Sequence, residues 1–285
     1  MGTEELESQI QRVRALTDAP FGVNFHMFQP NAHEVVDLVV RHGIRAVSYG
    51  RAPDAATVRK LKDAGVLCMP TAGAVRHATK AVELGADIVT IQGGEGGGHT
   101  GSTPTTLLLP QALDAVDVPV VAAGGFYDGR GLAAALAWGA SGIAMGTRFL
   151  LTEDSPVPRA TLERYLTERD PGRIRVSRAL DGLPQRMLDN EYLSRLERAG
   201  ALRRLGIALS AALRWKRRTG MTLGQMASTA VRSLRDDRMT LAQTLMAANA
   251  PVIIQKAMVE GEPGEGVLPS GQVAAMIDRL ASCQE

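Results

Sequence analysis

The chain has 285 residues, a formal net charge of +2, and 45% hydrophobic against 4% aromatic residues; this suits one large α/β domain with room for an added lobe and a core of Ala, Val, Leu and Ile, and it argues against a nucleic-acid partner. The two cysteines, Cys68 and Cys283, lie too far apart for a metal motif or a disulfide framework, so no metal is expected. No leader-like segment and no long apolar run is legible, which predicts a cytoplasmic protein with no membrane partner.

Residues 2–16 read as a helix, with Thr3 as N-cap and Glu4 to Glu7 in the first turn. The first strand signal is 21–25. A helical stretch at 32–41 leads to a second strand at 46–49, and another at 55–64 leads to a third at 66–70. The fourth apolar run, 88–92, opens into Gly93-Gly94-Glu95-Gly96-Gly97-Gly98-His99-Thr100-Gly101. Five of the six residues between Gln92 and His99 are glycine, which lets another molecule approach the main chain closely. Such a turn, closed by one histidine, suits a flat or phosphorylated ligand held beside a proton-transfer group.

A fifth strand at 118–123 ends in Gly124-Gly125. A helical stretch at 129–139 then precedes a sixth strand, 142–145, which runs into Gly146-Thr147. Strand, glycine turn, helix, strand is the βαβ pattern, whose ligands sit at the carboxyl ends of the strands, and N–H groups exposed at the two glycine turns suit a phosphate. Past residue 155 the texture changes. A helix at 159–167 and a short strand at 174–176 are expected, then a basic helix over 191–218 carrying eight cationic side chains, among them Arg195, Arg198, Arg214, Arg217 and Arg218. Leu202, Leu205, Leu209 and Leu213 form an apolar stripe along it. It reads as a solvated amphipathic surface helix, a polyphosphate site, or a membrane-surface helix.

Five histidines are present. His33, His42 and His77 sit beside charged residues and read as surface groups. His26 follows the end of the first strand and is a pocket candidate. His99 is the strongest proton-transfer candidate, against the alternative that it only caps its loop. Glu95 has no second carboxylate to make an acid/base pair and reads as an anchor for the turn.

The segment from Gln92 to His99, the Ala122-Ala123-Gly124-Gly125 strand end and Met145-Gly146-Thr147-Arg148-Phe149 resemble the nitronate monooxygenase (2-nitropropane dioxygenase) family. Pro20 to Asn24 and Gly264 to Gln272 match it as well. Within the family, the chain is most similar to an actinobacterial branch acting on coenzyme A thioesters in steroid-ring breakdown. The resemblance implies an α/β fold of the TIM-barrel type, with six of eight strands recognisable and a mostly helical C-terminal lobe. No strand signal precedes residue 21, so the expectation is a chain truncated at its N-terminus and lacking the first two strands. The alternative is an open sheet of six. The implied division is an FMN-binding barrel portion at 1–155 and a helical lobe with a closing segment at 156–285.

The resemblance also implies site residues. His99 is the catalytic acid or base. Asn24 and Gln92 hydrogen-bond the flavin ring. Gly97, Gly125, Gly146 and Thr147 bind its ribose and phosphate, with backbone from Gly124, Ala144 and Met145. His26, Arg214, Arg217 and Arg218 are candidates for the substrate, the arginines for the phosphates of coenzyme A. The implied activity is an FMN-dependent oxidoreductase acting on a small molecule, a nitronate or a coenzyme A thioester, in a chain that could form a homo-oligomer. A flavin-binding subunit without catalysis is the reading from another class.

Overall fold

A computed structural model describes residues 2–27, 29, 31–50, 53–199 and 241–285. Two compact units emerge. The first comprises residues 1–94, 101–123 and 128–144; the second comprises 95–100, 124–127 and 145–285.

The first unit alternates helix and strand: α1 (Thr3–Leu16), β1 (Gly22–His26), α2 (Ala32–Arg41), β2 (Ala46–Gly50), α3 (Ala55–Asp63), β3 (Leu67–Ala72), α4 (Val75–Glu83) and β4 (Val89–Gln92). The next strand, β5 (Gly98–His99), belongs to the second unit. The first unit resumes with α5 (Thr105–Leu113), β6 (Val120–Ala123), α6 (Gly129–Ala137) and β7 (Gly142–Ala144). Its six strands form one parallel sheet in the order β1-β2-β3-β4-β6-β7. This is the β/α succession of the TIM-barrel class, and all six strands coincide with the apolar runs of the sequence.

One local device recurs at four helix ends. α2, α3, α4 and α6 are each followed by a glycine in the left-handed region: Gly43, Gly65, Gly85 and Gly139, with φ of 56°, 73°, 100° and 103°. In each case the residue after the glycine donates its N–H back to a carbonyl of the last helical turn, as Ile44 does to Val39 and Val66 to Leu61, both at 3.0 Å. This is the Schellman closure, and a Cβ would strain the backbone at the glycine. It sends the chain straight from helix into the next strand.

Alternate strand residues then divide by face. Val23, Phe25, Val47, Tyr49 and Cys68 are buried against Ile10, Val35, Val39, Val58 and Leu61 of the helices. The intervening Asn24 and Thr71 are exposed, and His26, Ser48, Gly50 and Met69 are half-buried. α1 corrects one expectation. Its N-cap is Gly2, with no side-chain cap. Thr3 lies inside the helix, and its hydroxyl donates to Glu34 at 2.6 Å instead.

The second unit holds β5, α7 (Gly146–Leu150), α8 (Arg159–Leu166), β8 (Ile174–Ser177), β9 (Gln185–Leu188), α9 (Glu191–Arg198), α10 (Leu241–Met258) and β10 (Leu268–Pro269). Besides its helices it carries a small antiparallel sheet centred on β9. One edge of β9 pairs with β8 along its length; the other takes β5 at Gln185 and Arg186 and β10 at Met187 and Leu188. Tyr165 of α8 is buried, and its hydroxyl donates to the Pro269 carbonyl at 2.9 Å. Arg175 of β8 grips Glu197 of α9 with two 2.7 Å hydrogen bonds and adds Asp189 at 3.0 Å, a geometry that ties helix to sheet. α9 is also shorter than the basic helix expected from the sequence. Its regular hydrogen bonding stops at Arg198, and Ala199 has the extended angles φ −67° and ψ 121°. Arg214, Arg217 and Arg218 lie outside the described residues.

The buried face of the first unit carries a testable group. Cys68 is fully buried; its backbone N–H donates to the Asp87 carboxylate at 2.8 Å, which also pairs with Lys62. Burial, reinforced by the Asp87 charge, pushes the thiol above its ordinary value, so little thiolate forms. Cys283 is exposed. Iodoacetamide at pH 8 should therefore label Cys283 and leave Cys68 unmodified until the protein is denatured, as peptide mass spectrometry would show.

Candidate active site

In the first unit the parallel register lines up the carboxyl ends of the strands. His26 stands opposite Gly50 and Gly50 opposite Thr71; Gln92 stands opposite Ala123 and Ala123 opposite Ala144. Asn24, one pleat before His26, donates its amide to the Ser48 hydroxyl at 2.8 Å. His26 crowds Gly50 so closely that a Cβ there would lie 3.1 Å from the ring. Asn24, His26, Gln92 and Ala144 thus occupy the strand ends where βαβ units present ligand-binding groups. His42 instead pairs with Glu7 at 2.8 Å, and His33 and His77 are exposed.

The second unit contains the other candidates, and there the glycine turn is folded against two distant segments. Gly98 and His99 pair antiparallel with Arg186 and Gln185 of β9. Thr100 extends the contact, donating its N–H to the Pro184 carbonyl at 3.2 Å. The register sets His99 and Gln185 on the same face. His99 Nε2 lies 2.8 Å from Asp181 Oδ2 and 3.1 Å from the Gln185 amide nitrogen, which also donates to Asp181. The side chain of Asp181 is 6% exposed and that of His99 is 55% exposed, so a buried carboxylate backs a ring that keeps access to solvent.

The second segment is 268–272. The Gln272 N–H donates to the Glu95 carbonyl at 3.0 Å, and the Gly271 N–H donates to the Thr147 hydroxyl oxygen at 2.9 Å. Gly97 lies against the main chain of this segment. A Cβ on Gly97 would stand 2.5 Å from the Ser270 carbonyl carbon, and one on Gly271 would stand 3.0 Å from the Glu95 oxygen. Gly97 and Thr147 therefore meet at Gly271, and Thr147 spends its acceptor on holding that loop. Glu95 serves as the expected anchor through its main chain, while its side chain flanks Gly125.

Gly124 and Gly125 both have positive φ, 87° and 85°. Gly125 and Gly146 are exposed, and a Cβ on Gly146 would meet nothing within 4 Å. The backbone at Gly146 is open, with Met145 half-buried beside it, whereas the Glu95 side chain lies against Gly125. Arg186 is half-buried, and its guanidinium donates to the Ile174 carbonyl at 2.7 Å. Desolvation lowers its pKa from the ordinary value, and the nearby Glu95 charge opposes that shift.

Sequence reasoning missed Asp181, Gln185, Ser270 and Gly271 as members of this arrangement. Asp181-Gly182 is a legible turn signal. Nothing local ties it to a histidine 82 residues away. Chemically, the arrangement offers an imidazole backed by a carboxylate and an open glycine main chain at Gly146.

The family model described as nitronate monooxygenase matches residues 1–285. A Rhodococcus jostii protein named (3aS,4S,5R,7aS)-5-hydroxy-7a-methyl-1-oxo-octahydro-1H-indene-4-carboxyl-CoA dehydrogenase is 48% identical over 281 residues, covering 99% of this chain and 79% of its own. A Mycobacterium tuberculosis protein of the same name is 46% identical over 288 residues, covering 100% of this chain and 81% of its own. Among solved structures, FabK from Thermotoga maritima aligns with a TM-score of 0.76 and 28% identity, covering 99% of this chain and 78% of that one. Nitroalkane oxidase from Streptomyces ansochromogenes aligns with a TM-score of 0.71 and 26% identity, covering 98% and 82%.

The close approach at Gly97 predicts a steep cost for a single methyl group. Gly97→Ala must move the backbone of either the glycine turn or the 270–271 segment, a form of overpacking that costs about 1–3 kcal/mol. Its thermal midpoint should fall clearly below that of the parent. Gly264→Ala, where a Cβ meets nothing within 4 Å, should melt with the parent.

Proposed function

This chain belongs to the nitronate monooxygenase family, and we propose that it is an FMN-dependent oxidoreductase acting on a coenzyme A thioester, with His99 as its proton carrier. The observation that carries the catalytic part is the exposed His99 ring set against the buried carboxylate of Asp181. A flavin is the cofactor that family membership implies. The open main chain at Gly146 fits a phosphate, which wants N–H donors unobstructed by side chains; Gly125 is exposed as well, with the Glu95 side chain beside it. Gly97, Gly124, Met145 and Thr147 shape the same loops. Asn24 and Gln92, with amides that both donate and accept, remain the candidates for the flavin ring, and Ala144 for a backbone contact.

When bound, the flavin supplies a two-electron acceptor or donor. The chain's own contribution is proton chemistry. His99 would take a proton from, or return it to, a carbon next to a carbonyl, thioester or nitro group, the general acid or base task for which histidine is the commonest side chain. His26 at the end of β1 is the second candidate for contact with substrate.

The thioester reading draws on the two relatives of 48% and 46% identity that are named as CoA dehydrogenases. It draws also on the cationic side chains of 195–218, since a small nitroalkane has no phosphates to bind. Oxidation of a nitronate is the second reading, favoured by the family's own description.

Purified protein should be yellow, with the absorption spectrum of FMN. His99→Ala should keep that colour and lose about 10²–10⁴-fold in turnover, the range for removing a general acid or base. Near-normal turnover in that variant would move the proton carrier elsewhere, with His26 first.

The substrate class is tested separately. Charge-assisted contacts to phosphate are each worth about 1.5–3 kcal/mol. Replacing Arg214, Arg217 and Arg218 together with Ala should weaken a coenzyme A thioester by more than tenfold in calorimetry and leave a small nitroalkane unaffected. Equal thioester binding by parent and triple variant would favour the nitronate reading.

A further inference from the structure

Asp181 lies in the turn Asp181-Gly182-Leu183-Pro184 that feeds β9. Gly182 has φ 85° and donates its N–H to the Arg178 carbonyl at 3.0 Å, which closes the turn. The Leu183 N–H donates to Asp181 Oδ1 at 2.9 Å. Oδ2 receives the Gln185 amide and faces His99 Nε2 at 2.8 Å. Both oxygens of a carboxylate with a side chain only 6% exposed are thereby engaged. An ionised carboxylate only accepts hydrogen bonds, so a ring nitrogen at 2.8 Å must bring the hydrogen. The 3.1 Å approach of the Gln185 amide nitrogen to His99 Nε2 follows from two donors converging on one oxygen.

We infer that Asp181 is a positioning residue for His99: it holds the ring in one orientation with the hydrogen on Nε2, and its charge compensates the imidazolium that forms when Nδ1 takes a proton. This rests on the reading of His99 as the proton carrier. The balance is simple. A substrate C–H proton passes to the Nδ1 lone pair, while the electron pair of that bond stays with the substrate for the redox partner. Asp181 stays ionised throughout, and the ring later releases its proton to water. Gln185 fixes the carboxylate from the side.

The test reads the ring itself and then turnover. Among the described residues, the charged groups on the segments packed against His99 are Asp181, Arg186 of β9 and Glu95 of the glycine turn. In ¹⁵N-histidine-labelled protein, with His99 assigned by its loss in His99→Gln, the neutral ring should be the Nε2–H tautomer. Asp181→Asn keeps the shape and removes the charge. It should lower the His99 titration midpoint by about one pH unit or more, as expected for losing an opposite charge within contact distance. It should also lower kcat by about 10–100-fold with little change in KM. Circular dichroism would show that the fold persists. An unchanged midpoint or an unchanged kcat overturns the inference. If Asp181→Asn does not fold, the parent decides: an Nδ1–H tautomer at His99 overturns it and Nε2–H upholds it. The ring measurements need neither flavin nor substrate. Failure of the oxidoreductase reading would appear instead as a parent protein without turnover.

Discussion

A carboxylate withdrawn from water must find donors for its oxygens or give up its charge. Asp181 finds a backbone N–H from Leu183, an amide from Gln185 and the ring of His99. Meeting that requirement joins a turn at 181–184 to a histidine far earlier in the chain. The antiparallel pairing of His99 with Gln185 makes the join geometrically sound, because paired residues of neighbouring strands present their side chains to the same face. The run of glycines matters for the same reason. Gly97 lets the turn press against the main chain of 270–271, and Gly98, with φ 66°, turns the chain into β5.

The first unit solves a different problem, that of lining up strand ends. Each of four helices is closed by a glycine in the left-handed region, so the next strand begins at a defined residue. Register then follows from burial. A slip of one residue would turn Val23, Phe25, Val47 and Tyr49 out of the helix-facing core and bring Asn24 and Ser48 into it. Burying these four large apolar side chains on one face fixes the register of β1 against β2 and so sets His26 opposite Gly50 at the carboxyl end.

Membership of the nitronate monooxygenase family and the likeness to FabK and nitroalkane oxidase place an oxidoreductase on this frame. In the second unit, the setting of His99 differs from that of the other described histidines. His42 is tied to a surface glutamate, and His33 and His77 are exposed without a buried acid against them among the described residues. Only a ring with solvent on one side and a buried charge on the other has both access and a fixed orientation.

The strands were legible in the sequence because the parallel sheet buries short apolar runs, and because glycine marks the end of four helices for reasons internal to a few residues. His99 stands out as a candidate for a similar reason: a glycine run that ends in a single histidine is a local signal. Other local signals misled. Thr3 looks like a cap, yet its hydroxyl finds Glu34 of α2, a partner 31 residues away. The 191–218 stretch has helical periodicity throughout, yet the chain leaves the helix at Ala199. α5 was hidden by Pro110, which lacks the N–H of a regular helical residue. What tertiary structure alone decided is which distant groups meet. Asp181 and Gln185 carry no local mark of function, because their roles arise from contacts with a histidine 82 and 86 positions earlier, and Gly271 meets Gly97 and Glu95 from 174 and 176 positions away. By itself the sequence determined the β/α succession and singled out His99; the folded chain determined which carboxylate stands behind that ring, since long-range pairing depends on packing and not on the neighbours in the chain.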